Sequence, residues 1–364
     1  MTYFEINKQD IIHNYEELSH ITQALVIPTL KANAYGMGAK EVACLLRDHC
    51  GVNLFAVSRL EEAQDMPCGG GVRTLVLSAY HDDESIRKLV DGDLIMAVDS
   101  ISQARRIAEY AKSIGKYARV HIKVDTGFGR FGFSPENIGD ISAVYSVEGL
   151  SVRGIFSHFS SAFANDLAQT DKQFDTFATL CDELSRQGFD IGIRHIANSS
   201  AALRGAKYCL DAVRIGSALT GRVPFKTSVD LKRVGHFYSE VADIRTLKKG
   251  SNVGYGNIYK LKKDMRVAVV CCGSADGVLI KKDYDTFRFI DIMRYGLHVF
   301  KMLFKDNRLA VKINGKTVRA VGRPALTHTF LDVTDISCRA GDRVEFDISP
   351  LYVSDKVKRE YIDV

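Results

Sequence analysis

The sequence has no apolar run near the roughly eighteen residues of a membrane span, so no transmembrane helix is expected. Its opening stretch, "MTYFEINKQD", lacks the apolar core of a signal peptide. There is no C-x-x-C pair among the eight cysteines, which argues against a zinc site or a disulfide framework, and no metal is expected. Scattered thiols of this kind suit a reducing cytoplasm. Cys271 and Cys272, adjacent in "VAVVCCG", read as buried thiols of a strand. No basic run is long enough for nucleic acid, and a net charge of +5 is small for 364 residues. The composition therefore points to a small anionic ligand, or to none, and to no membrane partner.

What is present is an ordinary globular composition, 46% hydrophobic and 26% charged, on a chain long enough for a large domain and a smaller one. Between residues 24 and 221 one rhythm recurs: a short apolar run, a polar or Gly-rich turn, a helical stretch. The runs are "ALVIPTLKANAYG" (24–36), "NLFAVS" (53–58), "RTLVLSAY" (73–80), "DLIMAVDS" (93–100), "RVHIKVDTG" (119–127), "VRGIFSHF" (152–159), "IRHIANSS" (193–200) and "AVRIGSALTG" (212–221). The helical period is clearest at 100–115, opened by a capping serine, and at 166–188; both stretches end on a glycine. Eight such units predict a parallel, closed (β/α)8 TIM-like barrel over residues 1–235. From residue 236 to 364 the pattern becomes short strands broken by "KKGS", "NGK" and "AGD", which predicts a C-terminal all-β domain. The first few residues are candidates to pair with it.

Barrel enzymes place their chemistry at the carboxyl ends of the strands. Here those ends carry Lys31, Lys123, Asp125, Arg130, His158, His195, Asn198, Ser199 and Arg214. A strand-end lysine ordinarily just reaches solvent, and His195 reads as a hydrogen-bonded core histidine. The convergence of so many cations with an Asn-Ser pair reads instead as an anion site. An amine among cations loses pKa, as a Schiff-base lysine requires, so Lys31 is the leading functional candidate.

These residues resemble the pyridoxal-phosphate-dependent alanine racemases. The likeness is carried by "LKANAYGMG" (30–38), "KVDTGFGRFGF" (123–133), "GIFSHF" (154–159), "HIANSSAAL" (195–203), "VRIGSALTG" (213–221), "GSNVGYGNIY" (250–259) and "CGSADGV" (272–278), in family order across most of the chain. The resemblance implies pyridoxal 5'-phosphate as cofactor, Lys31 as the lysine that holds it and acts as one base, and Tyr255 as the opposite base. It further implies Tyr35, Ser199 and the backbone of Gly216 and Ser217 around the phosphate, Asn198 as a further cofactor-binding residue, Arg214 at the pyridine nitrogen and His158 beside the ring. Arg130 would sit near the substrate carboxylate, and carbamylation of Lys123 is possible. A homodimer with shared active sites is implied as well. Apart from its motif, Tyr255 would read as an ordinary turn tyrosine.

Two places depart from the family. In "GRPALTHTFLDVTD" (322–335), Leu326 and Thr327 replace a methionine, whose amide meets the substrate carboxylate, and an aspartate. The C-terminus lacks the segment whose tyrosine narrows the pocket, with Tyr352 or Asp355 near the vacancy. The expected function is interconversion of L- and D-alanine by Lys31 and Tyr255. The alternative is a racemase of broader specificity, accepting serine or larger amino acids. A barrel-type decarboxylase or a non-catalytic pyridoxal-phosphate carrier fits less well, since the former uses a Gly-rich phosphate loop and the latter lacks a β domain with a tyrosine like Tyr255.

Overall fold

The computed structural model describes residues 1–64, 66, 71–280, 287–304 and 306–363; Cys68 lies outside them. The chain starts with a strand, β1 (Tyr3–Asn7), and then a helix, Lys8–Thr22, capped where the Asn7 side chain accepts from the Gln9 amide. Eight strands follow: β2 (Leu25–Pro28), β3 (Leu54–Val57), β4 (Arg73–Val76), β5 (Ile95–Val98), β6 (Ala118–Lys123), β7 (Leu150–Phe156), β8 (Ile193–Asn198) and β9 (Ala212–Ile215). All eight runs expected from the sequence are strands. They lie in the order β2-β9-β8-β7-β6-β5-β4-β3, every reported pairing parallel. A parallel bridge from Thr29 to Ala56, with the Leu30 amide donating to the Ala56 carbonyl at 2.8 Å, closes the ring. Strands covered on both faces read as continuous Val/Ile/Leu runs, as "LFAV" and "IMAV" do. Ile27, Leu54, Ala56, Leu75, Ile95 and Ala212 pack as one buried cluster; burying an aliphatic side chain of this size contributes about 1.5–3 kcal/mol.

The two helices with the clearest period form over Ile101–Ser113 and Ala168–Arg186. Ser100 caps the first by accepting from the Gln103 amide, and Gly115 and Gly188 end the two turns at φ of +69° and +88°.

Seven strands build the second region: β10 (His236–Leu247), β11 (Met265–Val270), β12 (Ala310–Ile313), β13 (Lys316–Ala320), β14 (Thr329–Asp332), β15 (Arg343–Phe346) and β16 (Lys358–Ile362). The order is β11-β14-β13-β12-β15-β10-β1-β16, and β11 also pairs with β10, so six antiparallel strands form a closed ring. A register shift between Val241 and Asp243 lets the long β10 serve both neighbours. Met1–Ile6 and Gly235–Ile362 make one compact unit; Asn7–Val234 and Asp363 belong to the other.

Three features depart from the sequence expectations. A helix, Phe289–Met302, stands within the β region. Its polar residues Asp291, Arg294, His298 and Lys301 form one narrow stripe, and apolar residues cover the rest, so neither period stands out in the sequence. Strands β14 and β16 lie in stretches read only as departures from the family. Cys271 is exposed while Cys272 is buried, because β11 ends at Val270 and the chain bends there; the expectation of two buried thiols holds for Cys272 alone.

Candidate active site

A cavity of about 440 Å³ opens among the ends of β2, β6, β7, β8 and β9. Its lining includes Lys31, Tyr35, Lys123, Arg130, His158, Asn198, Ser199, Arg214, Gly216 and Ser217. All the barrel residues singled out for the site except Asp125 and His195 therefore meet in one place.

Lys31 opens a turn with an unusual backbone. Ala32, Asn33, Ala34 and Tyr35 all take left-handed helical φ/ψ, with φ between 50° and 57°. An L-residue other than glycine gives up roughly 1–2 kcal/mol in that conformation, Asn less. The turn is held by the Ala34 amide donating to Leu30 O (2.8 Å), the Gly38 amide to Asn33 O (3.0 Å), the Ala39 amide to Asn33 Oδ1 (2.7 Å) and the Ala32 amide to Glu62 Oε1 (2.7 Å). Strain of this order persists where the surroundings over-determine it, typically at a site. The turn directs Tyr35 against Gly216, where an added Cβ would lie 2.3 Å from the Tyr35 hydroxyl oxygen, so a larger residue would displace the Tyr35 ring. Burial pushes the Tyr35 hydroxyl up to about 12 against a hydrogen bond with the Ser217 backbone. Its proton stays on, so it serves as a donor.

Asn198 ends β8 and caps the helix Ser199–Arg204, accepting from the Ala201 amide at 3.1 Å. Ser199 Oγ accepts from the amides of Gly216 (3.0 Å) and Ala218 (3.3 Å), which fixes the bend after β9. Asp125 accepts from the amides of Gly127, Phe128, Gly129 and Arg130. Burial would raise its pKa, but these amides outweigh it and keep the carboxylate charged. Asp125 thus shapes the loop that delivers Arg130, whose guanidinium lies over the Phe128 ring.

Arg214 is 3% exposed and no carboxylate is among its partners. Instead it donates to the carbonyls of His195 (3.0 Å), Ser157 (2.6 Å) and Ile196 (3.2 Å), to His195 Nδ1 (2.5 Å) and to His158 Nδ1 (3.1 Å). A guanidinium only donates, so both histidines accept on Nδ1 and are neutral there. His195 then carries its proton on Nε2 and donates to Nδ1 of buried His121 at 2.8 Å. Burial, then the charge of Arg214, pushes His121 down to about 3 and His158 and His195 well below the ordinary histidine range.

The two lysines follow the same electrostatics. Burial, then Arg130, lowers the pKa of Lys31, with Glu62 opposing and Arg214 assisting. Burial, then Arg130 and Arg214, takes Lys123 down to about 8. Lys123 donates to the Leu77 carbonyl at 3.0 Å and lies over the rings of Phe131 and Phe156. The cavity is thus a cluster of cations and donors; Glu62 and Asp125 beside it accept from backbone amides, while Asp99 and Asp125 oppose the lowering of Lys123. It can hold an anion and supply a neutral amine.

Within the β unit, Tyr255 heads a short turn, Tyr255–Asn257, and is 74% exposed; Leu326 is 70% exposed. The Ala275 amide donates to the Leu326 carbonyl at 2.9 Å, which sets Leu326 beside the "GSADG" turn. Tyr352 also meets that turn: a Cβ on Gly277 would lie 2.3 Å from its carbonyl oxygen. Asp355 is exposed and faces Arg359 at 3.8 Å.

Glu62 and His121 were not anticipated. His121 interrupts the apolar run "RVHIKVD" and was legible as a buried polar residue. Glu62 carries only a helix-start signal in "SRLEEA", and its contact with Ala32 is 30 residues distant.

Known proteins resemble this chain in sequence and fold along most of its length. The family model for "Alanine racemase, N-terminal domain" matches residues 6–224, and that for "Alanine racemase, C-terminal domain" matches residues 234–350. The alanine racemase of Methanococcus maripaludis is 31% identical over 349 residues, 93% of this chain and 87% of that one. The solved alanine racemase of Clostridium difficile 630 superimposes with a TM-score of 0.86 at 27% identity, covering 100% of this chain and 96% of that one. The alanine racemase from Bartonella henselae, solved with covalently bound pyridoxal phosphate, shares the fold at a TM-score of 0.82 and 22% identity, over 100% and 99% of the two chains. With the barrel model and the β-domain model matched in sequence, and relatives aligned across both, the chain belongs to the alanine racemase family.

Proposed function

We propose that this chain is a racemase that interconverts L- and D-alanine with pyridoxal phosphate held on Lys31. The observation that carries the reading is a lysine with a lowered pKa opening a left-handed turn in a cavity otherwise lined by Lys123, Arg130 and Arg214. The residues fit the cofactor. The Ser199 hydroxyl, which accepts from the Gly216 and Ala218 amides and so keeps its own proton to donate, and the Tyr35 hydroxyl against the backbone of Gly216 and Ser217 form a cradle of donors, as a phosphate ester needs. Arg214, which can only donate, would leave the ring nitrogen unprotonated, and His158 would flank the ring. When bound, pyridoxal phosphate supplies a sink for the electrons left at the amino-acid Cα.

Inverting that centre needs one base on each face, because a single base returns the proton where it found it. Lys31, kept readily deprotonated by burial and Arg130, takes or returns the proton on one face. The Tyr255 hydroxyl serves the other, and Arg130 meets the substrate carboxylate together with the backbone at Leu326. Tyr255 and Leu326 are exposed on the β unit, which supports a homodimer in which Tyr255 of the partner subunit completes the site. No helix among the described residues is long and apolar enough to cross a membrane, and a cytoplasmic location accords with its scattered thiols.

Labelling, exchange and sedimentation test this. The purified protein should show a visible yellow band, and borohydride should fix the label on Lys31; a label on Lys123 would overturn the assignment. In D₂O, L-alanine should exchange its Cα proton and appear as D-alanine. Full activity from monomers in sedimentation would refute the shared site.

A further inference from the structure

We propose that Glu62 is a positioning residue for Lys31: its carboxylate ties the peptide that leaves Lys31 to the head of the helix after β3. The proposal rests on the reading of Lys31 as the cofactor-holding amine.

Glu62 sits in the short helix Leu60–Ala63, and its two oxygens have different work. Oε2 accepts from the amides of Ser58 (2.8 Å) and Arg59 (3.0 Å), an ordinary cap on its own helix. A cap needs no more than that. Oε1 turns away from the helix and accepts from the Ala32 amide at 2.7 Å. That amide belongs to the first residue of the left-handed turn, and its peptide plane begins at the Lys31 carbonyl. Fixing that plane fixes the backbone from which the Lys31 side chain departs.

The clamp lies where such control is effective. Strands β2 and β3 are the seam of the barrel, joined by the Thr29–Ala56 bridge and the Leu30 amide on the Ala56 carbonyl. Just beyond this seam the chain reverses into the turn of Ala32–Tyr35, which the Gly38 and Ala39 amides hold from its far side and the Ala34 amide ties back to the Leu30 carbonyl. Glu62 is the tie on the near side, between the seam and the strained residues.

Glu62 also carries charge. Among the described residues Lys31 is faced by Arg130, Arg214, His158, Tyr35 and Glu62, and the Glu62 carboxylate opposes the cations in holding its proton. Its removal leaves Lys31 among cations, so the amine loses its proton at lower pH.

The variants separate clamp, charge and cap. Glu62→Gln can keep one oxygen on Ser58 and Arg59 but turns an NH₂ towards the Ala32 N–H. Glu62→Asp keeps the charge and is one methylene shorter, so it cannot span both ends. Glu61→Gln changes an exposed neighbour on the same helix. For each full-length protein, hydroxylamine removes the cofactor, pyridoxal phosphate is added back at a series of pH values, and borohydride followed by peptide mapping identifies the labelled lysine. In Glu62→Gln the plateau rate of coupling to Lys31 should fall at least about tenfold, as misplacement of a reacting group by an ångström readily causes. Its pH midpoint should also move down. Glu62→Asp should lose rate and keep the midpoint, and Glu61→Gln should match the wild type in both. A wild-type label on a lysine other than Lys31 refutes the underlying reading of the site. A wild-type label on Lys31, with wild-type rate and midpoint in Glu62→Gln and Glu62→Asp, overturns the proposal and leaves Glu62 a helix cap.

Discussion

In the barrel unit Arg214 is 3% exposed and engaged by two histidines and three carbonyls, while in the β unit Tyr255 is 74% exposed and heads a three-residue turn. The same contrast holds for Lys123, 4% exposed over two phenylalanine rings, and Leu326, 70% exposed. The strand ends of a parallel barrel converge, so its polar groups can be buried because they satisfy one another. The β unit presents its side chains on turns between antiparallel strands, where nothing need bury them. The barrel preorganises its polar groups by burying them, whereas the β unit carries Tyr255 and Leu326 exposed on turns.

Breaking the more exposed partner should have the largest effect. Tyr255→Phe should slow Cα exchange from one alanine enantiomer by about 10²–10⁴-fold and the other far less, since each base serves one face. Equal, mild losses would remove Tyr255 from the chemistry. Next in size is the expected effect on specificity. With Leu326 in place of the family's methionine and only Pro350–Tyr352 before the last strand, serine should be turned over within about tenfold of alanine by kcat/KM, a methylene being worth roughly 1–3 kcal/mol in such a pocket. A hundredfold preference for alanine would mean that the space is filled.

The barrel's cradle gives a smaller effect. Gly216→Ala places a Cβ 2.3 Å from the Tyr35 hydroxyl oxygen, and relieving that clash should destabilise the protein by about 1–3 kcal/mol. Calorimetry together with retention of the yellow band on dialysis measures both consequences; unchanged values would show that Tyr35 yields freely. The smallest effect is a pH slope. Lys123 falls from 10.5 to about 8 in the folded chain, so between those values the unfolded chain binds the extra proton and stability rises with pH. Below about 8 both states are protonated and the full penalty of the buried ammonium applies. The melting temperature of the wild type relative to Lys123→Met should therefore climb from pH 8 to pH 10 and be flat below.

Much of the barrel was legible because its signals are local. Strands such as Leu54–Val57 and Ile95–Val98 are continuous apolar runs, Ser100 caps the helix it precedes, and Gly115 and Gly188 occupy the positive φ that ends a helix. The helix Phe289–Met302 escaped because its apolar residues nearly encircle it, and a period is visible only when one face differs from the other. The stretch after Lys31 reads as one of the turns that follow the apolar runs; its left-handed hand does not show there, since alanine disfavours it and bonds to Leu30, Asn33 and Glu62 hold it.

The sequence by itself determined the alternation of strand and helix, the change to β structure near residue 236, and which polar residues stand at strand ends. These are consequences of period and composition, properties of neighbours in the chain. Only the tertiary structure decided that Arg214 is held by histidines and carbonyls rather than a carboxylate, that Tyr35 closes on Gly216, and that Glu62 reaches the residue after Lys31. Those outcomes depend on distances between segments far apart in sequence. Such distances exist only once the barrel has closed, because the closure of β2 on β3 brings the Glu62 carboxylate to the Ala32 amide.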